Sequence, residues 1–495
     1  MKTKLLSLVA VLLTFYSCNI SSTDSLISNT LINKHIDNGD YTEAQKLIKL
    51  KIATSNNLSA EEKLNLELKS DVMERIKIDF NKSEATVTEY IKKYYPEVTA
   101  EQIKAWEDNL GLEYKIIDGE KKYFKNTQYN LFRTDKDAIA VKEAKDGKNL
   151  GGTNHFLSGY LADVVNPKAK NISKRKFEKL TNPEHFTITY SISVKPNEVP
   201  AGETVRAWMP YPQNKDKYKD IKLLSTSNED YIIAPDKYLH KSIYMEKKAV
   251  KDSTTNFSYT LEFTSYNQWL NFTTEDVKPY DKESELYKKY TAERKTHVIF
   301  TPTIKKLTDS IVGTENNPHK KFLKIFKYIA DNYPWASARE YSTIENIPEY
   351  VMGIKHGDCG QVSLLLITMC RYSGIPAKWQ SGWMLHPGEV NLHDWAEIYF
   401  EGIGWVPVDQ SFNYVLADNQ TVEQAKENKD IYYFFTNGLD AFRYIVNEEF
   451  SAEFFPSKIF PRSETVDFQR GEVEWKGGNL YFNKWNYNMK VERAE

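Results

Sequence analysis

The chain has 495 residues, which is more than one compact core usually holds and predicts two or three domains. Its 66 basic and 68 acidic residues nearly balance, which argues against a surface built to bind nucleic acid. The 32 tyrosines, 24 phenylalanines and 10 tryptophans supply enough apolar surface for several sizeable cores.

The N-terminus has the pattern of an export signal. Lys2 and Lys4 precede an apolar stretch, residues 5–15, that is too short to remain in a bilayer as a spanning helix. We expect residues 1–17 to be a signal peptide. The mature protein is then exported.

Cys18 directly follows this apolar stretch. The position resembles the lipid-attachment site of bacterial lipoproteins, although aromatic residues stand where that motif usually has a leucine and a small residue. The resemblance implies a lipid anchor on Cys18 that holds the protein to a membrane of the cell envelope, with plain secretion as the alternative. Residues 18–30 are mostly small and polar, as in a flexible tether.

Residues 31–175 predict a mainly helical region. Ser59 and Thr99 each precede a Glu or Gln by three residues, the pattern of a capping box at a helix start. Apolar residues recur at helical spacing between residues 64 and 80. The pair Asp118-Gly119 predicts the turn of a β-hairpin.

Residues 183–280 predict an antiparallel β-sandwich. Apolar side chains alternate with Thr and Ser from Phe186 to Val194, which is the period of a half-buried strand. Further short alternating runs, separated by Pro and Gly, are typical of this architecture.

Residues 290–495 predict a last domain that begins with helices and ends with a β extension. Asn317-Pro318 marks a helix start, because proline suits the first turn. The run 362–372 is apolar on nearly all sides and predicts a buried helix that Gly374 and Pro376 end. The predicted fold class is therefore multidomain α+β.

Three residues of this last domain form a candidate catalytic set. Cys359, between glycines at the start of the buried helix, is a candidate nucleophile, because a helix N-terminus and a nearby imidazole both favour the thiolate. His393 is the candidate base, and Asp409 is the carboxylate that orients it. Cys370 is eleven residues further along the same predicted helix, about 16 Å away, which is too far for a disulfide with Cys359.

The alternation of side chains constrains how His393 and Asp409 meet. Both residues lie on neighbouring predicted strands, and they share a face only if paired residue numbers sum to an even value. Pairing Phe400 with Gly404 satisfies this and leaves a three-residue loop, 401–403. Asp409 is then the diagonal neighbour of His393.

These motifs resemble the transglutaminase-like superfamily of cysteine acyltransferases and peptidases. The matching residues are Gly-Asp-Cys before an apolar helix, Ser-Gly-Ile-Pro after it, then His-x-Trp-x-Glu and Gly-Trp-x-x-x-Asp, over roughly residues 315–415. The resemblance implies a papain-like core with Cys359 as nucleophile, His393 as general base and acid, and Asp409 as orienting group. It also implies an upstream aromatic residue in the oxyanion hole, for which Trp335 and Tyr341 are both candidates.

Other residues near the motifs have weaker assignments. The backbone N–H of Gly360 is a candidate oxyanion donor, and His356 is a candidate cleft-edge or supporting residue. Three tryptophans are candidates for the cleft wall, with packing as the ordinary alternative: Trp379, Trp383 and Trp395. His386, before Pro-Gly, is expected on a surface loop.

The function predicted from the sequence is an exported cysteine-dependent amide hydrolase or acyltransferase that acts on peptides or proteins through a thioester, with hydrolysis preferred. The alternative is a catalytically silent lipoprotein that binds peptides or glycans. A metal site formed by His356, Cys359 and His386 or His393 lacks a second matching ligand pair. No cofactor or metal is expected.

Overall fold

The computed structural model describes residues 27–147, 152–416 and 420–494. The predicted signal peptide and Cys18 lie outside the described residues, as does most of the predicted tether. The chain divides into two compact units, with the boundary between Gln128 and Tyr129. Within the described residues, no helix has both the length and the apolar character needed to cross a membrane.

The first unit is mainly helical, as predicted. Capping boxes are present at Ser59 and Thr99, and the predicted hairpin turns at Asp118-Gly119, with both residues at positive φ. Its strands form an antiparallel sheet of order β1-β3-β2. The elements of this unit are α1 (Asn29–Asp37), α2 (Tyr41–Thr54), α3 (Ala60–Asp79), β1 (Phe80–Lys82), α4 (Glu84–Ile91), α5 (Ala100–Asp108), β2 (Tyr114–Ile117) and β3 (Glu120–Phe124).

The sequence predicted a helical region that continues to residue 175. The first compact unit instead ends at Gln128. Helix α6 (Thr127–Thr134) crosses the unit boundary, and α7 (Lys136–Asp146) and α8 (Gly152–Val164) belong to the second unit. Tertiary contacts explain the difference. The side chain of Asn130 exchanges two hydrogen bonds with the backbone of Ser337, at 2.8 and 2.9 Å, and apolar residues of α8 pack in a core with Trp269.

Two antiparallel sheets in the second unit share a core, in the region predicted as a sandwich. One sheet has the order β13-β9-β4-β17, with β6 also paired to β9, and the other has the order β16-β15-β5-β8-β7. The shared core includes Tyr190, Trp208 and Tyr259. The strands are β4 (Glu178–Val194), β5 (Thr204–Pro210), β6 (Tyr218–Thr226), β7 (Ile232–Ile233), β8 (Ser242–Lys248), β9 (Thr255–Leu270), β13 (Gly438–Leu439), β15 (Glu472–Trp475), β16 (Gly478–Asn479) and β17 (Trp485–Arg493).

The end of the chain completes these sheets and is not an extension of the last domain. Strand β17 pairs with β4 from Trp485 to Arg493, and β15 pairs with β5. The alternating pattern identified these strands, but it carries no information about a partner nearly three hundred residues away.

A third antiparallel sheet carries the candidate catalytic residues. Its order is β12-β11-β10-β14, and Phe400 pairs with Gly404, which confirms the predicted register. The strands are β10 (Ala377–His386), β11 (Glu389–Phe400), β12 (Gly404–Val408) and β14 (Arg443–Asn447). The helices of this region are α9 (Glu285–Thr291), α10 (Pro302–Val312), α11 (Pro318–Asn332), α12 (Ile347–Ile354), α13 (Cys359–Tyr372), α14 (Val422–Ala425) and α15 (Lys429–Tyr432).

Helix α13 packs on one face of this sheet. Its apolar side chains share a core with Trp379, Ala396 and Ile398, which lie on the same face of β10 and β11. Residues 360–371 of the helix are buried, as the apolar run predicted. This packing fixes the tip of α13 against β11.

Candidate active site

Cys359 is the first residue of α13. Asp358 caps the helix: its side chain accepts the N–H of Gln361 at 3.0 Å, and the side chain of Gln361 accepts the N–H of Asp358 at 3.3 Å. This capping box satisfies backbone donors that a helix start leaves unpaired. The thiol therefore sits at the rigid tip of a buried helix, and Cys359 itself is partly exposed.

Gly360 makes room for the groups around the thiol. A Cβ atom at this position would lie 2.2 Å from the hydroxyl of Tyr341 and 2.7 Å from Oδ2 of Asp394. That hydroxyl donates a hydrogen bond to Oδ1 of Asp358 at 2.7 Å and lies 3.3 Å from Oδ2 of Asp394. The glycine thus allows a buried tyrosine to contact two carboxyl groups beside the cysteine.

The hydrogen-bond partner of the thiol is Asp394. Sγ of Cys359 lies 3.4 Å from Oδ2 of Asp394, and Oδ1 of that carboxyl accepts a hydrogen bond from Gln469 at 2.6 Å. Burial, followed by the charges of Asp394 and Asp358, raises the pKa of the Cys359 thiol well above its ordinary value. The sequence-based expectation of a thiolate favoured by the helix N-terminus is therefore corrected: the resting thiol is protonated, because desolvation and two carboxylates outweigh the helix dipole.

His393 and Asp409 form a second, separate pair. Nε2 of His393 lies 2.6 Å from Oδ2 of Asp409, as the predicted diagonal placement requires. The other oxygen of Asp409 accepts hydrogen bonds from the backbone and hydroxyl of Ser411, at 3.1 and 2.9 Å. Burial favours a raised pKa for Asp409, but the charges of His393 and Arg443 outweigh it and hold that pKa at about 2. Asp409 is ionised at neutral pH.

The structure does not join the two pairs directly. His393 and Asp394 are consecutive residues of β11, so their side chains project to opposite faces of the strand, and the thiol lies on the Asp394 side. Within the described residues, no hydrogen bond links Sγ to His393, and Nδ1 of His393 has no hydrogen-bond partner. The expectation that all three residues meet in one hydrogen-bonded set is thus corrected to two pairs that are adjacent along β11.

Arg443 and Asp440 also belong to this site, although no sequence motif pointed to them. Arg443 contacts Asp409 at 2.8 Å and Asp440 at 3.1 Å, and all three side chains are fully buried. His386, expected on a surface loop, is instead buried at the end of β10, with Nε2 3.3 Å from Oδ1 of Asp440. These contacts depend on β14 lying beside β10, a pairing that no local motif encodes.

The three tryptophans suggested as a cleft wall are fully buried, which corrects that expectation. Trp379 hydrogen-bonds to Ser381 at 3.0 Å, and Trp383 donates to the backbone of Gln469 at 2.9 Å. Trp395 packs beside His393, with 5.7 Å between the ring centroids. They build the platform under the site and are not exposed to a substrate.

The remaining candidates occupy different environments. His356 is buried, and burial lowers its pKa to about 4, so its imidazole is neutral at pH 7. Tyr341 is buried, with its hydroxyl engaged by carboxyl groups. Trp335 is 48% exposed and pairs with Gly357, two residues before the cysteine. Of the two aromatic candidates for the oxyanion hole, Trp335 is the exposed one, and the role itself stays a prediction.

The described residues contain no group of three or more His, Cys, Asp or Glu side chains suited to a metal ion. Cys359 and Cys370 are both free. The site therefore consists of a thiol, an imidazole–carboxylate pair and a buried guanidinium.

Comparison with known proteins identifies the family of the region that carries the candidate site. Residues 305–410 match the Transglutaminase-like superfamily. The chain contains a transglutaminase-like domain. Cys359, His393 and Asp409 all lie within the matched residues.

The chain also resembles individual proteins. It is 25% identical over 289 residues to an uncharacterized protein of Haemophilus influenzae, covering 51% of this chain and 75% of that protein. Among solved structures, it is similar to a candidate cysteine protease of Cytophaga hutchinsonii (14% identity, TM-score 0.43, 64% of this chain and 92% of that one) and to the periplasmic domain of TgpA from Pseudomonas aeruginosa (11%, 0.25, 49% and 95%). Both TM-scores are below 0.5, so the family match alone carries the assignment.

Proposed function

We propose that the transglutaminase-like domain is a cysteine-dependent amide hydrolase. Sγ of Cys359 attacks the carbonyl carbon of an amide, and the thiol proton passes to Nδ1 of His393. The C–N bond then breaks, the amine leaves with that proton, and the acyl group remains on Cys359 as a thioester. Water, deprotonated by His393, releases the acyl group as a carboxylic acid and restores the thiol.

The observation that carries this proposal is the His393–Asp409 pair. The carboxylate holds Nε2 at 2.6 Å, which fixes the imidazole with Nδ1 as its unengaged nitrogen. The thiol touches the very next residue of β11, Asp394. In the proposed reaction the thiol leaves its contact with Asp394, and Nδ1 of His393, the nitrogen that Asp409 does not engage, takes its proton.

Hydrolysis is favoured over transfer to a second amine. Transamidation needs a dedicated cleft that excludes water during the second step, whereas hydrolysis needs none. Peptides, proteins and the peptide stems of cell walls are the substrate classes that fit this chemistry. We further propose that the protein is exported and held to a membrane of the cell envelope through a lipid on Cys18, as the N-terminal pattern indicates.

Comparison of the wild type with Cys359→Ala on peptide amides and cell-wall fragments tests the proposal. The matched control is Cys370→Ala, because Cys370 lies on the same helix and is fully buried. We expect product release by the wild type and by Cys370→Ala, and none by Cys359→Ala. A thioester on Cys359 is detectable by mass spectrometry and is cleaved by hydroxylamine. Equal behaviour of wild type and Cys359→Ala contradicts the enzyme and favours a binding role.

A further inference from the structure

Arg443 connects two buried carboxylates at the base of the candidate site. Its Nη1 lies 2.8 Å from Oδ2 of Asp409, and its Nε lies 3.1 Å from Oδ2 of Asp440. All three side chains have no exposed surface. Within the described residues, Nη2 of Arg443 has no hydrogen-bond partner, so its polar contacts are those with Asp409 and Asp440.

The same oxygen of Asp409 serves both Arg443 and His393. Oδ2 lies 2.6 Å from Nε2 of His393 and 2.8 Å from Nη1 of Arg443. Phe412 touches both partners: its ring centroid is 5.1 Å from that of His393 and 4.5 Å from the guanidinium carbon of Arg443. Arg443 therefore contacts the same oxygen that holds the imidazole.

The charge of Arg443 also acts on the imidazole. The groups that set the pKa of His393 are Asp409 after β12, Arg443 on β14 and His386 at the end of β10. Burial lowers the pKa of His393 below its ordinary value, Asp409 opposes this change, and Arg443 adds to it. The charge of Arg443 thus opposes the effect of the Asp409 carboxylate, which favours the charged imidazole.

We propose that Arg443 is a positioning residue that anchors Asp409 to Asp440 and keeps His393 neutral, and so able to accept the thiol proton. The inference rests on the proposed function, since it assigns a purpose to the neutrality of His393. Lysine does not replace arginine here, because an ammonium group lacks the fork that binds two carboxylates at once.

The test is the titration of His393 by NMR in protein labelled at histidine Cε1, with the signal assigned by its loss in His393→Asn. We expect Arg443→Met to raise the midpoint by about one pH unit or more relative to wild type. Arg443→Lys keeps the positive charge, so we expect a smaller rise together with loss of the fixed tautomer at His393. Arg206→Met is the matched control, because Arg206 pairs with Glu474 away from this site and is expected to leave the midpoint unchanged.

A second readout is the rate at which iodoacetamide alkylates Cys359 between pH 5 and 8. We expect the rising limb of this profile to move to higher pH by the same amount as the NMR midpoint in Arg443→Met. An unchanged His393 midpoint in both folded variants overturns the proposal. If Arg443→Met does not fold, the tautomer of His393 in Arg443→Lys is the deciding measurement. The same tautomer as in wild type overturns the proposal. An unreactive Cys359 in wild type contradicts the proposed function, whereas the NMR titration still reports on Arg443.

Discussion

The two faces of strand β11 give neighbouring residues opposite electrostatic surroundings. On one face, Asp394 lies with Asp358 beside the thiol, and no lysine or arginine of the described chain pairs with either carboxyl. Burial raises the pKa of Asp394 well above its ordinary value, and nearby carboxyls add to the rise. On the other face, Asp409 lies between the imidazole of His393 and the guanidinium of Arg443, which also contacts Asp440.

This difference shows how one strand separates a protonated thiol from an ionised carboxylate. Where buried carboxyls lack a pairing cation, burial raises their pKa values and that of the thiol, because an unpaired buried charge is costly. Where cations alternate with carboxylates, Asp409 remains ionised and orients the imidazole. The thiol of Cys359 is thus protonated at rest. Its contact on β11, Asp394, is the residue next to His393, the group proposed to activate it.

The largest effect is expected from Asp409→Asn. This change removes the charge that orients His393, so kcat/KM for amide hydrolysis is expected to fall by roughly 10³-fold, within the usual contribution of a general base. Steady-state kinetics on the substrate found in the activity screen measures it. Asp331→Asn, on the exposed end of α11, serves as the control, and an equal loss in both variants argues against a specific role.

Arg443→Met tests how strongly the paired face depends on alternating charges. Removing the cation leaves Asp409 and Asp440 buried without it, and we expect unfolding free energy to fall by about 3–5 kcal/mol. Urea denaturation of the second unit within the whole chain measures the change. Arg206→Met, whose partner Glu474 keeps a contact with Lys458 at 3.2 Å, is expected to cost about 1 kcal/mol or less. An equal loss of unfolding free energy in Arg443→Met and Arg206→Met would show that Arg443 has no special role in stability.

Gly360→Ala probes the packing on the acidic face. The new methyl group meets the hydroxyl of Tyr341, so we expect a loss of about 1–3 kcal/mol in unfolding free energy. Gly353→Ala is the matched control within α12, because a Cβ there has open space, and it is expected to stabilise by up to about 1 kcal/mol. Neutral behaviour of Gly360→Ala would show that Tyr341 moves freely.

Asp394→Asn tests whether the acidic face restrains the thiol. The charge of Asp394 adds to the raised pKa of Cys359, so its removal is expected to lower that pKa and to raise the alkylation rate near pH 8 about tenfold. Mass spectrometry of iodoacetamide-treated protein follows Cys359 and Cys370 separately, with Asp331→Asn as the control variant. A slower reaction would instead identify Asp394 as the group that takes the thiol proton.

Local patterns in the sequence predicted much of the site. Alternation along β11 and β12 placed His393 beside Asp409, because strand parity and a short loop leave few registers. The apolar run after Cys359 predicted the buried helix. A helix that is apolar on all sides is expected to be buried, whichever elements pack against it.

What the sequence did not predict depends on distant pairing and on desolvation. Arg443 reaches the site because β14 lies beside β10, and the C-terminal strands join sheets that begin before residue 210. The raised pKa of Cys359 arises from burial and from the carboxyls that the fold places around the thiol, neither of which motif spacing reveals. Trp395 alternates in step with His393, yet alternation alone does not tell a cleft from a core.

The pH dependence of Cys359 alkylation in wild type and His393→Asn tests the central claim most directly. The pKa of His393 lies below its ordinary value of 6.5. As the pH rises, the imidazole therefore loses its proton before pH 6.5 is reached. We expect the wild-type alkylation rate to rise over that range and then to level off. In His393→Asn we expect this limb to be absent, and reaction only as the thiol ionises above its ordinary pKa of 9.0. Identical profiles in the two proteins would contradict the account, because the thiol would then react without the imidazole.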